Sequence, residues 1–171
     1  MEEPDLGRLL HVLDGHGVEY VVIGAQAAVI HGVPVVTEDL DVTPARDTAN
    51  LARLAVALTE LEARIRTASE PEGVPFQAEA ELLATAETWN LTTRLGDLDL
   101  AFVPAGTGGY ADLRRDASTV ELADGLAVQV ASLADVIRSK EAAGRDKDRA
   151  QLPLMRRTLE EIRARERRRK T

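Results

Sequence analysis

Val22-Ile23-Gly24-Ala25, followed after thirteen intervening residues by Asp39-Leu40-Asp41-Val42, is the stretch on which the fold turns. Tyr20-Val21-Val22-Ile23 reads as a short buried strand that Gly24 breaks. Ala25 to His31 reads as a short Ala-rich helix closed by Gly32. Beyond Pro34 the run Val35 to Val42 is extended, with Asp39 and Asp41 on one face and Leu40 and Val42 on the other. A glycine at a strand end lets the backbone approach a ligand closely, and the free N–H groups of the helix that follows suit phosphate. Two carboxylates about 4 Å apart repel by roughly 4 kcal/mol at an effective dielectric of about 20. A hard divalent cation with oxygen ligands offsets that repulsion and brings nucleotide phosphates with it.

A third acid completes an arrangement able to clamp the attacking and leaving oxygens of a phosphoryl or nucleotidyl transfer. Thr88 to Arg94 and Leu98 to Val103 read as two strands around a turn at Gly96-Asp97. On the second strand Leu98, Leu100 and Phe102 share one face, and Asp97, Asp99 and Ala101 the other. Asp99 is therefore the candidate third acid. Asp97 falls in the turn on this reading and ranks behind it.

The flanking elements follow from caps and periodicity. Asp5 caps a helix over Leu6 to Asp14, and Asp47 caps another that continues to about Arg66 on the stripe Leu51, Leu54, Ala55, Leu58 and Leu61. Ser69 to Pro75 and Gly106 to Gly109 read as loops, and Val120 to Val130 as one or two short strands around Asp124-Gly125. Ser132 with Asp135 forms a capping box for a helix that Gly144 closes, and the remainder is helical, broken near Pro153. The expected fold is a single α+β domain, a mixed sheet flanked by helices. Its core spans about 5–154, and a basic C-terminal helix covers 155–171. His31 reads as a helix-end residue, and Trp89 as a packing residue of the hairpin.

Composition narrows the chemistry. The chain has no cysteine, which excludes disulfides, thiolate metal sites and cysteine nucleophiles. No apolar run approaches the length of a membrane span, and the start Met1-Glu2-Glu3-Pro4-Asp5 is acidic where a signal peptide is basic. A cytoplasmic protein with no membrane partner is the expectation. The net charge of −8 argues against general nucleic-acid binding, although Arg163, Arg165, Arg167, Arg168, Arg169 and Lys170 make the tail basic. The plainer reading of that run is a solvated helix end that suits the helix dipole.

Taken together, Gly24-Ala25, the spacing and Asp39-Leu40-Asp41-Val42 resemble the signature of the polymerase-beta-type nucleotidyltransferase superfamily. More narrowly, the chain resembles the small bacterial nucleotidyltransferases of the abortive-infection (AbiEii-like) toxin group. Tyr20 to Gly24, Ala28 to Gly32, Leu95 to Leu100, Ser132 to Lys140 and Ala143 to Asp148 carry that likeness. It implies a nucleotidyltransferase fold and transfer of a nucleoside monophosphate from an NTP to an acceptor hydroxyl. Asp39, Asp41 and Asp99 would hold Mg2+ or Mn2+, and Gly24 and Ala25 would form the phosphate-binding turn. Lys140 would reach the phosphates, and Asp148 would orient Lys140 or the base. The implied acceptor is transfer RNA in a toxin–antitoxin pair, with a cognate antitoxin protein as partner. The alternatives are a protein acceptor, an aminoglycoside-type small molecule, or a non-catalytic binding module. Two positions depart from the signature: Ala25 stands where Gly or Ser is usual, and Glu38 where a basic residue is common.

Overall fold

Eight strands form one mixed sheet in a computed structural model that describes residues 3–171. Met1 and Glu2 of the acidic start lie outside the described residues. In chain order the elements are α1 (Leu6–Gly15), β1 (Tyr20–Ile23), α2 (Gly24–Ile30), β2 (Leu40–Pro44), α3 (Thr48–Glu60), β3 (Arg64–Ile65), β4 (Val74–Pro75) and α4 (Ala80–Leu83). They continue with β5 (Thr88–Thr93), β6 (Gly96–Ala101), α5 (Tyr110–Arg115), β7 (Ser118–Glu121), β8 (Ala127–Val130), α6 (Leu133–Ala143) and α7 (Asp146–Arg169). The strand order is β4-β3-β5-β6-β2-β1-β8-β7, with β2–β6 and β1–β8 parallel and the other pairs antiparallel. The mixed α+β architecture expected from the sequence is the one observed.

The centre of the sheet is built from alternation. Leu40 and Val42 on β2, and Leu98 and Leu100 on β6, are fully or almost fully buried, while Asp41 and Asp99 turn to the opposite face. Parallel register sets Asp41 directly beside Asp99, and antiparallel register sets Asp41 beside Ile23, the residue before Gly24. Pairing alone thus gathers the two acids and the glycine on one face at the centre of the sheet. Around them the expected stripe Leu51, Leu54, Ala55 and Leu58 of α3, with Leu61 just past its end, is buried.

Several boundaries differ from the expectation, each for a local reason. Asp39 precedes β2 rather than lying in it, because 33–39 is irregular and the strand begins at Leu40. Helix α3 ends at Glu60, six residues before Arg66. Glu62 adopts φ 53°, and the bonds Ala63 N–H to Leu58 O and Glu62 N–H to Thr59 O close the helix where the sequence offers no glycine. Arg66 therefore follows β3 instead of ending a helix. The β5–β6 turn is Arg94-Leu95, closed by the Thr93–Gly96 pair, so Asp97 lies in β6 and not in the turn.

The C-terminal segment is also different. Helix α7 runs unbroken through Pro153, and 155–171 is its continuation rather than a separate helix. Proline cannot donate to the carbonyl of Arg149, yet it lies on the exposed side, and buried Leu152 and Met155 seat the helix on both sides of it. The capping box of α6 is half made: Ser132 Oγ accepts from Asp135 N–H at 3.1 Å, but Asp135 Oδ2 is buried without a partner. His31 ends α2 as expected and its Nε2 meets Ala131 O at 2.7 Å. Trp89 packs in the hairpin against Phe76, with ring centroids 6.0 Å apart. None of the helices among the described residues is long and apolar enough to cross a membrane.

Candidate active site

The C-terminal end of β1, the N-terminal end of β2, the C-terminal half of β6 and one face of α6 line a cleft of about 700 Å³. Gly24, Ala25, Asp39, Asp41, Asp99 and Lys140 all line it. Asp148, the remaining residue expected at the site, stands behind Lys140 and is fully buried. All seven residues are thus brought together.

Asp41 is the electrostatic centre. Burial, reinforced by the nearby carboxylates of Asp99 and Asp39, pushes its carboxyl up to about 7, against the pull of Lys140 and Lys147. Gly24 is what admits that carboxylate. Its φ is +65°, and a Cβ there would stand 2.5 Å from Asp41 Oδ2. No side chain caps α2, so the backbone of Gly24 and Ala25 faces the cleft without a capping hydrogen bond.

The cations come from the junction of α6 and α7. Val136, Ser139, Lys140 and Ala143 recur at helical spacing and turn one face of α6 to the cleft. Lys140 is buried, and its Nζ donates to Asp148 Oδ1 at 3.1 Å. Arg145 donates to the same carboxylate through Nε at 2.7 Å and through its backbone N–H at 3.3 Å. Burial alone would push the Asp148 carboxyl up, but the Arg145 and Lys140 hydrogen bonds outweigh it and hold it below the usual range. Asp148 is therefore both the N-terminal anchor of α7 and the group that orients two cations. Arg145 and Lys147 also line the cleft. Both stand in the quoted Ala143 to Asp148 stretch, and their type and position beside Asp148 are the signal that could have marked them.

Arg66 is the other residue the sequence reading missed. Its Nη2 donates to Asp99 Oδ1 at 2.8 Å, and its Nη1 lies 3.0 Å from Asp97 Oδ2. Burial, joined by the nearby carboxylates of Asp39 and Asp97, nevertheless keeps the Asp99 carboxyl above its usual range despite Arg66. Nothing near Arg66 in sequence points to Asp99, since only the end of α3 at Glu60 lets the chain run on beside β5.

The donor set suits a divalent cation. It is all carboxylate oxygen, and the Asp99 and Asp39 carboxylates add to burial in raising Asp41 despite Lys140 and Lys147. As the side chains stand, no three His, Asp or Glu groups among the described residues cluster closely enough to ligate one ion. Asp99 is engaged with Arg66.

No family model matches the sequence, and no curated protein matches it. Solved structures do match. The lincosamide antibiotic adenylyltransferase LnuA, in its lincomycin-bound form, superposes with a TM-score of 0.60 at 13% identity, over 91% of this chain and 98% of its own. The structure of ANT(2'')-Ia with adenylyl-2''-tobramycin gives 0.56 at 16% identity, over 97% of each chain. The fold is that of the nucleotidyltransferases. A candidate nucleotidyltransferase of Thermotoga maritima gives 0.55 at 19% identity, over 91% of each chain. At these identities the likeness is one of nucleotidyltransferase fold, and the chemistry has to be argued from the cleft itself.

Proposed function

We propose that this chain transfers a nucleoside monophosphate from an NTP to an acceptor hydroxyl. The observation that carries this reading is the pairing of Asp41 with Asp99 across β2 and β6, beside Gly24 and facing Lys140 in one cleft. Asp39, Asp41 and Asp99 would hold Mg2+ or Mn2+, which supplies charge neutralisation at the phosphates. Gly24 and Ala25 offer backbone to the triphosphate. Lys140, Arg145 and Lys147 bind its charge, with Asp148 fixing the first two. The acceptor oxygen forms a bond to the α-phosphorus as the bond from that phosphorus to the bridging oxygen breaks, and pyrophosphate leaves. We assign the acceptor's proton to Asp99, one of whose oxygens is free of Arg66.

For the acceptor we favour RNA, with transfer RNA as the form the sequence resemblance suggests. The supporting feature is the exposed end of α7, where Arg163, Arg165, Arg167, Arg168, Arg169 and Lys170 cluster. The small-molecule reading is favoured by the two antibiotic-bound neighbours, LnuA with lincomycin and ANT(2'')-Ia with adenylyl-tobramycin.

The test is incubation with labelled NTP, Mg2+ and, separately, total RNA, cell protein and aminoglycosides. Label is expected to enter RNA, and to be lost in Asp39→Ala and Asp41→Ala. Label that persists in both variants removes the site assignment. Label in protein or drug instead moves the acceptor but keeps the chemistry.

A further inference from the structure

The guanidinium of Arg66 is unusually well anchored for a residue in irregular chain. Its backbone N–H donates to Asn90 O at 2.8 Å, prolonging the β3–β5 ladder. Its side chain donates to Leu91 O at 2.8 Å and to Asp99 Oδ1 at 2.8 Å, and lies 3.0 Å from Asp97 Oδ2. Arg66 and Asp99 each keep 22% side-chain exposure, and Asp97 33%, so the fork is half-sheltered rather than solvent-washed. Asp97 and Asp99 alternate on one face of β6, about 7 Å apart along the strand. The planar guanidinium reaches the two with separate nitrogens, a geometry a single ammonium does not reproduce.

We infer that Arg66 competes with a divalent cation for Asp99, and that Asp97 retains Arg66 when Asp99 releases it. The inference rests on the nucleotidyl-transfer reading, which places a cation among Asp39, Asp41 and Asp99. Releasing Asp99 costs Arg66 one of its anchors while Leu91 O and Asp97 hold the others, so the exchange needs no movement of β3. Asp97 is then a positioning residue. Without it Asp99 would be the one carboxylate within hydrogen-bond distance of Arg66 among the described residues, and the arginine would hold it more firmly.

The competition has a sign that separates it from simple charge counting. Mn2+ binding to the nucleotide-free full chain, followed by paramagnetic resonance of the free ion, provides a readout independent of turnover. Arg66→Lys keeps the charge and loses the fork. It should bind Mn2+ roughly fivefold more tightly than wild type, the scale of one part-exposed ion pair. Arg66→Gln should bind at least as tightly, and Asp97→Asn should bind several-fold more weakly. Thermal melts of each variant without metal verify that it is folded, and Arg66→Lys keeps the test available if Arg66→Gln is not. Wild-type affinity in Arg66→Lys, with tightening only in Arg66→Gln, overturns the competition and leaves nucleotidyl transfer standing. A wild-type chain that binds no Mn2+ overturns both.

Discussion

Lys140 and Asp148, eight residues apart on consecutive helices, pair at 3.1 Å inside the protein, where Asp148 has no exposed surface at all. A buried carboxylate of this kind is tolerated only because Lys140 and Arg145 share it, and removing its charge strands both. Asp148→Asn is expected to lower stability by about 3–5 kcal/mol in urea melts at neutral pH. Because the folded carboxyl lies below its ordinary value, that contribution is complete above the unfolded range and is lost as pH falls through the acid range. A variant as stable as wild type at pH 7 contradicts the anchoring role.

Asp41 behaves in the opposite way. Its folded carboxyl is raised from 3.8 to about 7, so between those values the folded chain holds a proton that the unfolded chain has released. The metal-free protein therefore loses stability as pH rises through that window. Asp41→Asn abolishes this slope. In EDTA it should match wild type near pH 4 and exceed it by about 2–4 kcal/mol at pH 8. Equal differences at both pH values would show that Asp41 is not the titrating group.

Gly24 leaves no room for a side chain. Gly24→Ala places Cβ 2.5 Å from Asp41 Oδ2 on a backbone of φ +65°. The conformational cost alone is about 1–2 kcal/mol, visible as a lower Tm. Displacement of the Asp41 carboxylate should reduce kcat/KM for NTP by at least about tenfold, since misplaced catalytic groups carry penalties of that order or more. Unchanged kinetics in a destabilised variant would separate Gly24 from the chemistry.

Lys147 faces the same cleft but, unlike Lys140, makes no ion pair among the described contacts. Its charge is available to phosphate. Lys147→Ala is expected to raise the NTP KM about tenfold with a smaller change in kcat, the effect weakening at high salt. Steady-state kinetics at two ionic strengths measures this, and a pure kcat defect would place Lys147 elsewhere in the reaction.

What could be read in the chain was whatever rests on alternation and capping. Asp41 and Asp99 announce themselves by facing away from Leu40, Leu98 and Leu100, and Asp39 by standing two residues before Asp41, whereas only the family resemblance marks Lys140. What could not be read depended on chain reversals without a signal residue. Glu62 closes α3 in a conformation that usually calls for glycine, so Arg66 looked helical. Leu95, buried and apolar, occupies a turn that looked as if it belonged to Gly96-Asp97, and Asp97 was displaced from its strand. The half-made box at Asp135 shows the same limit, since the motif promises a return bond that this side chain does not make.

The unbroken course of α7 past Pro153 has a mechanical meaning. From Asp146 to Arg169 the helix is a rod about 36 Å long, gripped at one end by Asp148 and carrying its arginines at the other. A hinge at Pro153 would have let the two ends move independently. As one rod they do not, and the arginine tip keeps a fixed place relative to Asp148.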